Sequence, residues 1–527
     1  MLASNIKTPG VYINELNAFP NSVVPVATAV PAFIGYTPNA QYQGKSYYNK
    51  AQKITSFAEF QAIYMNANPQ PPADPASQYN PEYYLVAQKT QPEKGEYLLL
   101  NGTYYSIVPD PNTIYYLYNS IRLFYLNGGG DAYIVSVGSY GESSGKPGDV
   151  GAQIVNPNVK LADLQGGLAL LENEQEPTMY ICPEATLLSP ADNGTLMQSM
   201  LLQAAELQTA VCLFDIIGGD TPDPIMYTND IEAFRNSTGS NGLNYGVAYY
   251  PFIGTTIMQG SDINFTNLFG GDIKQLGAVI NPPSAQDPVV AKILAMIETP
   301  PQTNPMSNSQ LNAALLNASK TYSQIINNVL TCSNLLPPSG AMAGVYTVND
   351  NLNGVWNAPA NTSIVGAARL PIRLTDAQQA DLNVDAVSGK SINAIRFFNG
   401  QGILIWGART LDGNSQDWRY ISVRRTMTFL EQSVKLAARA YVFEPNTANT
   451  WAAVRSEISS FLTDIWKEGG LQGATANDAF QVFCGLGSTM TGDDILNGFL
   501  NVTVKVAIVR PAEFLVITFE QEMAKSG

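Results

Sequence analysis

Between residues 121 and 337 short apolar runs bounded by Gly and Pro alternate with spans of helical periodicity, a pattern that few folds accommodate. AYIVSVG (132–138), TMYICP (178–183), TAVCLFDII (209–217) and YGVAYYPF (245–252) are predicted strands. LADLQGGLALLENE (161–174), GTLMQSMLLQAAEL (194–207) and SNSQLNAALLNASKTYSQIINNVL (307–330) are predicted helices. Apolar strands separated by helices bury both faces of a sheet, so this stretch predicts a layered α/β domain.

The flanks differ in texture. Residues 1–35 predict an extended arm and a strand, because Val11 and Ile13 alternate with Tyr12 and Asn14 and the prolines exclude a helix. Residues 36–118 hold 14 of the 27 tyrosines and the Pro-rich run NPQPPADPASQYNP (68–81), which predicts a loop-rich inserted module with partly exposed aromatics, bounded here as 36–120. Near the other end, Met427, Leu430, Val434, Ala437 and Tyr441 form one helical stripe, with Arg424, Glu431, Lys435 and Arg439 on another face. A second predicted helix has Asn446 or Thr447 as N-cap, a stripe of Trp451, Val454, Ile458, Phe461 and Ile465, and Gly469 as its stop. The last block alternates: Leu500, Val502, Val504, Val506 and Ile508 share one face, Pro511 turns the chain, and 514–519 reads as a second strand.

Composition narrows function. The 527 residues contain no histidine, which removes His-based general bases, Ser-His-Asp and Cys-His nucleophiles, and the commonest metal ligand. A net charge of -15, from 28 basic and 43 acidic residues, disfavours nucleic acid as a partner. Cys182, Cys212, Cys332 and Cys484 lie far apart without a CxxC pair and read as buried free thiols. No unbroken apolar stretch suits a signal peptide, and 22–35 is too short and too Pro-broken to span a bilayer, so folding in a reducing cytoplasm without direct membrane insertion is expected.

Four motifs imitate active or binding sites. GESSG (141–145) matches a nucleophile elbow, yet no helix follows it and no histidine exists to activate Ser143. NGGGD (127–131) leads into a strand without the GK[ST] of a phosphate loop and reads as a turn. NDNLNG (349–354) starts like a calcium loop but places Ala360 where a bidentate Glu is required, so a hydrated turn is expected. Asp493 and Asp494 are adjacent and point apart, which is unsuited to paired-carboxylate hydrolysis. No catalytic residue, cofactor or metal is expected. Arg419, Arg424, Arg425, Lys435 and Arg439, against Glu431 alone, form a basic island that reads equally as a solvated face or as a dock for an acidic protein.

TPGVYINEL (8–16), LPPSGAMAGVYTVNDNLNGVWNAPAN (336–361), NAIRFFNGQGILIWGARTL (393–411), DWRYISVRRTMTFLEQSVKLAARAYVFEPN (417–446) and LNVTVKVAIVRPAEFLVITFEQE (500–522) together resemble the contractile tail sheath family. LFYLNGGGDAYIVSVG (123–138) matches more loosely. The resemblance implies a multidomain protein mixing α+β and α/β parts. Residues 1–35 and 338–527 would form an inner α+β domain with strand-forming arms, 121–337 an inserted α/β domain, and 36–120 the Tyr-rich insertion.

It further implies a structural subunit, not an enzyme, which polymerises as a helical homo-oligomer around an inner tube protein and contracts to drive the tube through an envelope. Baseplate and tail terminator or cap proteins would be its other partners. Val11, Tyr12, Ile13, Val502, Val504, Val506, Ile508, Phe514 and Val516 are the inter-subunit arm candidates, and Arg424, Arg425, Lys435, Arg439, Arg455 and Lys467 the tube-facing candidates. Because one chain carries both terminal blocks, a phage tail or phage-tail-like particle fits better than the divided sheath of type VI secretion. The competing expectation is a fibre or carbohydrate-binding module that uses exposed Tyr and Asn-rich loops as its platform.

Overall fold

The computed structural model describes residues 23–65 and 79–514, and these divide into two compact units. The larger runs from Ala27 to Thr428 and resumes at Arg510. The smaller comprises 23–26 and Phe429–Val509. The fold is mixed α/β.

An eight-stranded sheet organises the large unit, in the order Gly402–Trp406, Asn393–Phe398, Gly246–Tyr250, Val211–Asp215, Met179–Ile181, Pro31–Thr37, Ala132–Ser139, Ala51–Ile54. The six inner strands pair in parallel and the two edge strands antiparallel. Parallel strands need helical crossovers, so helices cover both faces and the strands read as unbroken apolar runs. Neighbouring residues of the central strand show this directly. Phe33 meets Phe124 of the helix Leu117–Leu126, with ring centroids 5.5 Å apart, and Ile34 faces Gly167 of the helix Leu161–Leu170. The predicted strands of the 121–337 stretch are all present. The sheet nevertheless also takes Pro31–Thr37, Ala51–Ile54 and the hairpin Asn393–Trp406, so it crosses the segment boundaries drawn from texture.

The motif helix Ser339–Asn353 packs on Leu117–Leu126 at backbone distance. A Cβ on Gly340 would stand 2.5 Å from Ser120 O, and one on Gly344 2.5 Å from Phe124 O. The small residues of SGAMAG permit that approach. Asp215, at the end of its strand, accepts the Ser339 amide at 2.9 Å and thereby caps this helix. NDNLNG is the helix's last turn and stop, with Gly354 at φ +85°, and not the hydrated turn predicted.

Of the 14 tyrosines in 36–118, Tyr36, Tyr64, Tyr79, Tyr83, Tyr84, Tyr115, Tyr116 and Tyr118 are buried and the rest half-buried. They form core rather than an exposed platform, and among the described residues the stretch adds the three-stranded sheet Tyr83–Gln88, Thr103–Pro109, Tyr97–Leu100. The predicted helix 307–330 is two, Asn308–Ala318 and Lys320–Ser333. Ser319 ends the first in an extended conformation, and its hydroxyl accepts from Tyr322 N to cap the second.

In the small unit, the helix Ala448–Lys467 starts after Thr447 and stops before Gly469, as its signals predict, and Val454, Ile458, Phe461 and Ile465 are buried. Phe461 meets Phe429 at 6.0 Å between centroids.

Candidate functional site

Among its described residues the small unit carries a two-stranded sheet, Phe480–Cys484 and Val502–Val506, antiparallel with Phe480 opposite Val506 and Cys484 opposite Val502. Period-two alternation turns Phe480, Val482 and Cys484 with Val502, Val504 and Val506 inward, where Phe480–Cys484 lies on the helix Ala448–Lys467. Gln481, Phe483, Thr503 and Lys505 point outward, with Lys505 Nζ 5.5 Å from the Phe483 ring centre. Among the described residues each strand has the other as its sole strand partner, which leaves two edges with backbone donors and acceptors to offer.

The arm candidates Val502, Val504 and Val506 are therefore in this sheet, and Ile508 extends it through a bridge to Leu471. Among the described residues their partner is Phe480–Cys484, which sequence reasoning missed; of the second strand predicted at 514–519, all but Phe514 lies outside the described residues. Phe514 is exposed and outside any strand. Val11, Tyr12, Ile13 and Val516 lie outside the described residues.

Apolar side chains are left on the small unit's surface. Val442, Phe443, Leu486, Leu496 and Phe499 are all exposed, Phe443 completely. Asn446 ties two of the loops that bear them, donating to Phe499 O at 2.9 Å. A unit this short cannot bury every large residue, and where such residues adjoin they mark contact surfaces.

The basic island divides. Arg424 and Arg425 are 3 % and 4 % exposed, so these two members of the predicted basic island are inside. Arg424 lies over the rings of Tyr245 and Trp418, 4.7 and 4.3 Å from their centres. Arg425 is ion-paired to buried Asp350 and also donates to Thr28 O at 2.9 Å. Both belong to the core of the large unit and offer no docking surface. Lys435, Arg439, Arg455 and Lys467 are exposed, all on the small unit. Arg455 and Lys467 are separated by about 120° around their helix, Arg455 beside the buried stripe and Lys467 nearly opposite it, so they do not share one face. Lys467 pairs loosely with Asp464 at 3.7 Å, an exposed pair of little energetic weight.

The imitating motifs resolve into local structure. Ser143 Oγ lies 2.8 Å from an Asp110 carboxylate oxygen and 2.7 Å from one of Glu82, while Asp110 also accepts the amides of Ser144 and Gly145 at 2.7 and 3.0 Å. GESSG is thus a loop wrapped on a carboxylate. Gly128 of NGGGD turns at φ +84° before the strand Ala132–Ser139. Asp494 closes a capping box with Thr491. Among the described residues no group of three acidic or cysteine side chains is arranged to hold a metal, and no helix is long and apolar enough to cross a membrane. Cys182, Cys212 and Cys484 are buried free thiols and Cys332 is half-buried.

Residues 288–411 match the family described as phage tail sheath protein central domain, and 414–522 the phage tail sheath C-terminal domain. The tail sheath protein of Vibrio phage KVP40 is 30% identical over 175 residues, covering 31% of this chain and 25% of that protein. That of Enterobacteria phage T4 is 25% identical over 139 residues, covering 26% and 20%. The chain thus matches a quarter or less of the length of these curated relatives. Along almost its whole length it is similar to the helical sheath of the anti-feeding prophage in its contracted state, with 25% identity, 98% of this chain and 100% of that one covered, and a TM-score of 0.56.

Proposed function

We propose that this chain, which belongs to the contractile tail sheath family, is the repeating subunit of a helical sheath that assembles around an inner tube and shortens to drive the tube through a target envelope. One observation carries the reading. A two-stranded sheet whose two edges are open among the described residues stands in a chain in which 11–16 and 514–519 both have strand-forming sequences. Each edge accepts one strand from a different neighbour by backbone hydrogen bonding, which yields a four-stranded sheet shared among subunits. Because donor and acceptor surfaces differ, the contact is heterologous and propagates without closing.

In this reading the small unit carries the arm-accepting edges and the tube-facing surface, with Lys435, Arg439, Arg455 and Lys467 as the charges available to an acidic tube. Baseplate and terminator proteins would meet the ends of the array. The chain has no catalytic role. The extended array is a trapped state that releases free energy as neighbours repack, with the shared strands keeping the mesh connected. Assembly would take place in the bacterial cytoplasm, before incorporation in a virion tail or phage-tail-like particle.

Negative-stain microscopy of the purified chain tests the proposal. Long tubes of uniform width are expected, while discrete monomers or trimers at high protein concentration, with or without tube protein, would reject it.

A further inference from the structure

Shortly after the chain re-enters the large unit at Arg510, Glu513 is held by a socket of three side chains. Arg409 donates through Nε to one carboxylate oxygen at 2.8 Å and through Nη2 to the other at 2.6 Å. Asn383 Nδ2 donates at 2.7 Å and Tyr420 OH at 3.1 Å. Arg409 itself is 3 % exposed, and Asn393 pins its backbone, accepting the Arg409 amide and donating to the Arg409 carbonyl, each at 2.8 Å. Burial opposes the charged form of Glu513, yet the hydrogen bonds from Arg409 and Asn383 outweigh it and hold the carboxyl below the ordinary Glu value. The plug is thus a bidentate, four-donor anchor on a segment with no secondary structure of its own.

The sequence that follows explains why an anchor matters here. In FLVITF (514–519) Phe514, Val516 and Thr518 alternate with Leu515, Ile517 and Phe519, so both faces are largely apolar. Register is strongly specified only where the two faces differ, and slippage by one residue, about 3.3 Å, inverts every side chain. A strand of this composition needs its starting point set from outside.

We propose that Glu513, plugged into the Arg409 socket, is the positioning residue that fixes where the C-terminal strand begins and so its register on a neighbouring subunit's two-stranded sheet. The inference rests on the sheath reading above, and its test separates the two. Full-length wild type, Glu513→Arg, Glu513→Gln, Arg409→Glu and the exchanged pair R409E/E513R are compared by thermal melting, by sheath yield in micrographs and by the strand pairing seen in helical reconstructions. Glu513→Arg leaves Arg409 buried beside a like charge and is expected to melt lower than wild type; assayed where it is still folded, it is expected to lower the yield of ordered sheath about tenfold, or to shift the strand pairing, and the exchanged pair to recover most of both losses. Arg409→Glu alters a buried position, so if it or the exchanged pair misfolds, Glu513→Gln decides, with an expected smaller loss in the same direction. Ordered sheaths with unchanged yield and pairing from wild type, Glu513→Arg and Glu513→Gln alike would overturn the anchor alone. A wild-type chain that forms no sheath overturns the sheath reading, and the anchor with it.

Discussion

Arg425 donates through Nη1 and Nη2 to the two carboxylate oxygens of Asp350, at 2.9 and 2.6 Å, with side chains 3% and 1% exposed. The Tyr346 ring lies 4.6 Å beneath the guanidinium, and Tyr346 OH in turn meets Tyr249 OH at 2.8 Å, so the pair is the charged end of a buried network. It joins the helix Ser339–Asn353 to the start of the helix Ile421–Ala438.

Removing one partner leaves the other charge buried and alone. Arg425→Ala is expected to destabilise the large unit by about 3–5 kcal/mol, whereas replacing both residues with apolar ones of similar volume should cost much less. Urea midpoints of the two single variants and the double variant measure this. Nearly additive losses would show that the two residues act independently.

The glycines facing Leu117–Leu126 predict a steric effect with no chemical component. Gly344→Ala places a methyl 2.5 Å from Phe124 O, and since the neighbour is backbone, a helix must shift. A loss of about 1–3 kcal/mol is expected by the same denaturation assay, and more for Gly344→Val. Gly166, with nothing near its Cβ direction, is the control, for which Ala should be neutral or mildly stabilising.

Element type was legible where the pattern was local. The runs that became Ala132–Ser139, Val211–Asp215 and Gly246–Tyr250 are apolar throughout because both faces of those strands are covered, and Thr447 and Gly469 mark the limits of their helix by backbone preferences that act over one turn. What failed depends on distant partners. Pro31–Thr37 sits mid-sheet because it pairs with Ala132–Ser139 and Met179–Ile181, far along the chain. Arg424 and Arg425 looked exposed because periodicity sees one helix alone, whereas Tyr245, Trp418 and Asp350 come from elsewhere. Phe480–Cys484 offers five residues with no flanking signal that separates a strand from a loop.

Glu184 predicts a pH effect. It is completely buried, its Oε1 accepts the Leu117 amide at 2.9 Å, and Gly35 leaves the space its other oxygen fills. Burial pushes its carboxyl from the ordinary 4.5 up to about 8. The unfolded chain releases this proton near 4.5 while the folded one keeps it to about 8, so the native state binds more protons across that window and stability falls as pH rises through it. Asp215, raised by burial to about 7, adds a loss of the same sign. Glu184→Gln mimics the protonated acid, so its melting temperature should match wild type near pH 5 and exceed it near pH 8, by a margin on the order of 1 kcal/mol per pH unit. An equal margin at both pH values would place the titration outside the window.

Charge reversal on the small unit tests the tube-facing assignment. Arg455→Glu and Lys467→Glu change exposed positions about 120° apart around one helix, so both variants should fold like wild type, within about 0.5 kcal/mol. If the tube is acidic, the reversal on the facing flank slows sheath growth on tubes steeply at low salt and less at high salt, and the other flank is silent. Equal growth rates for both variants at low salt would remove the two residues from the interface.

The linker at 17–21 should matter more for contraction than for folding. A strand of about five residues adds roughly five backbone hydrogen bonds to an open edge, at about 1 kcal/mol each, against an ordering cost of about 2–5 kcal/mol. Such a contact holds only while neighbours remain within reach. Residues that separate the N-terminal strand-forming segment from Val26, which is fastened to Ser433 by its amide at 3.2 Å, set that reach at about 3.3 Å each. Deleting 1–16 should therefore abolish tubes and leave folded monomers. Shortening 17–21 should leave extended sheaths able to form but tear or stall them on contraction, and lengthening it should lower the yield of regular sheath without preventing contraction. Micrographs of sheaths before and after triggering, with circular dichroism of the monomers, distinguish these outcomes. Regular contracted sheaths from the 1–16 deletion would exclude strand exchange at the N-terminal end.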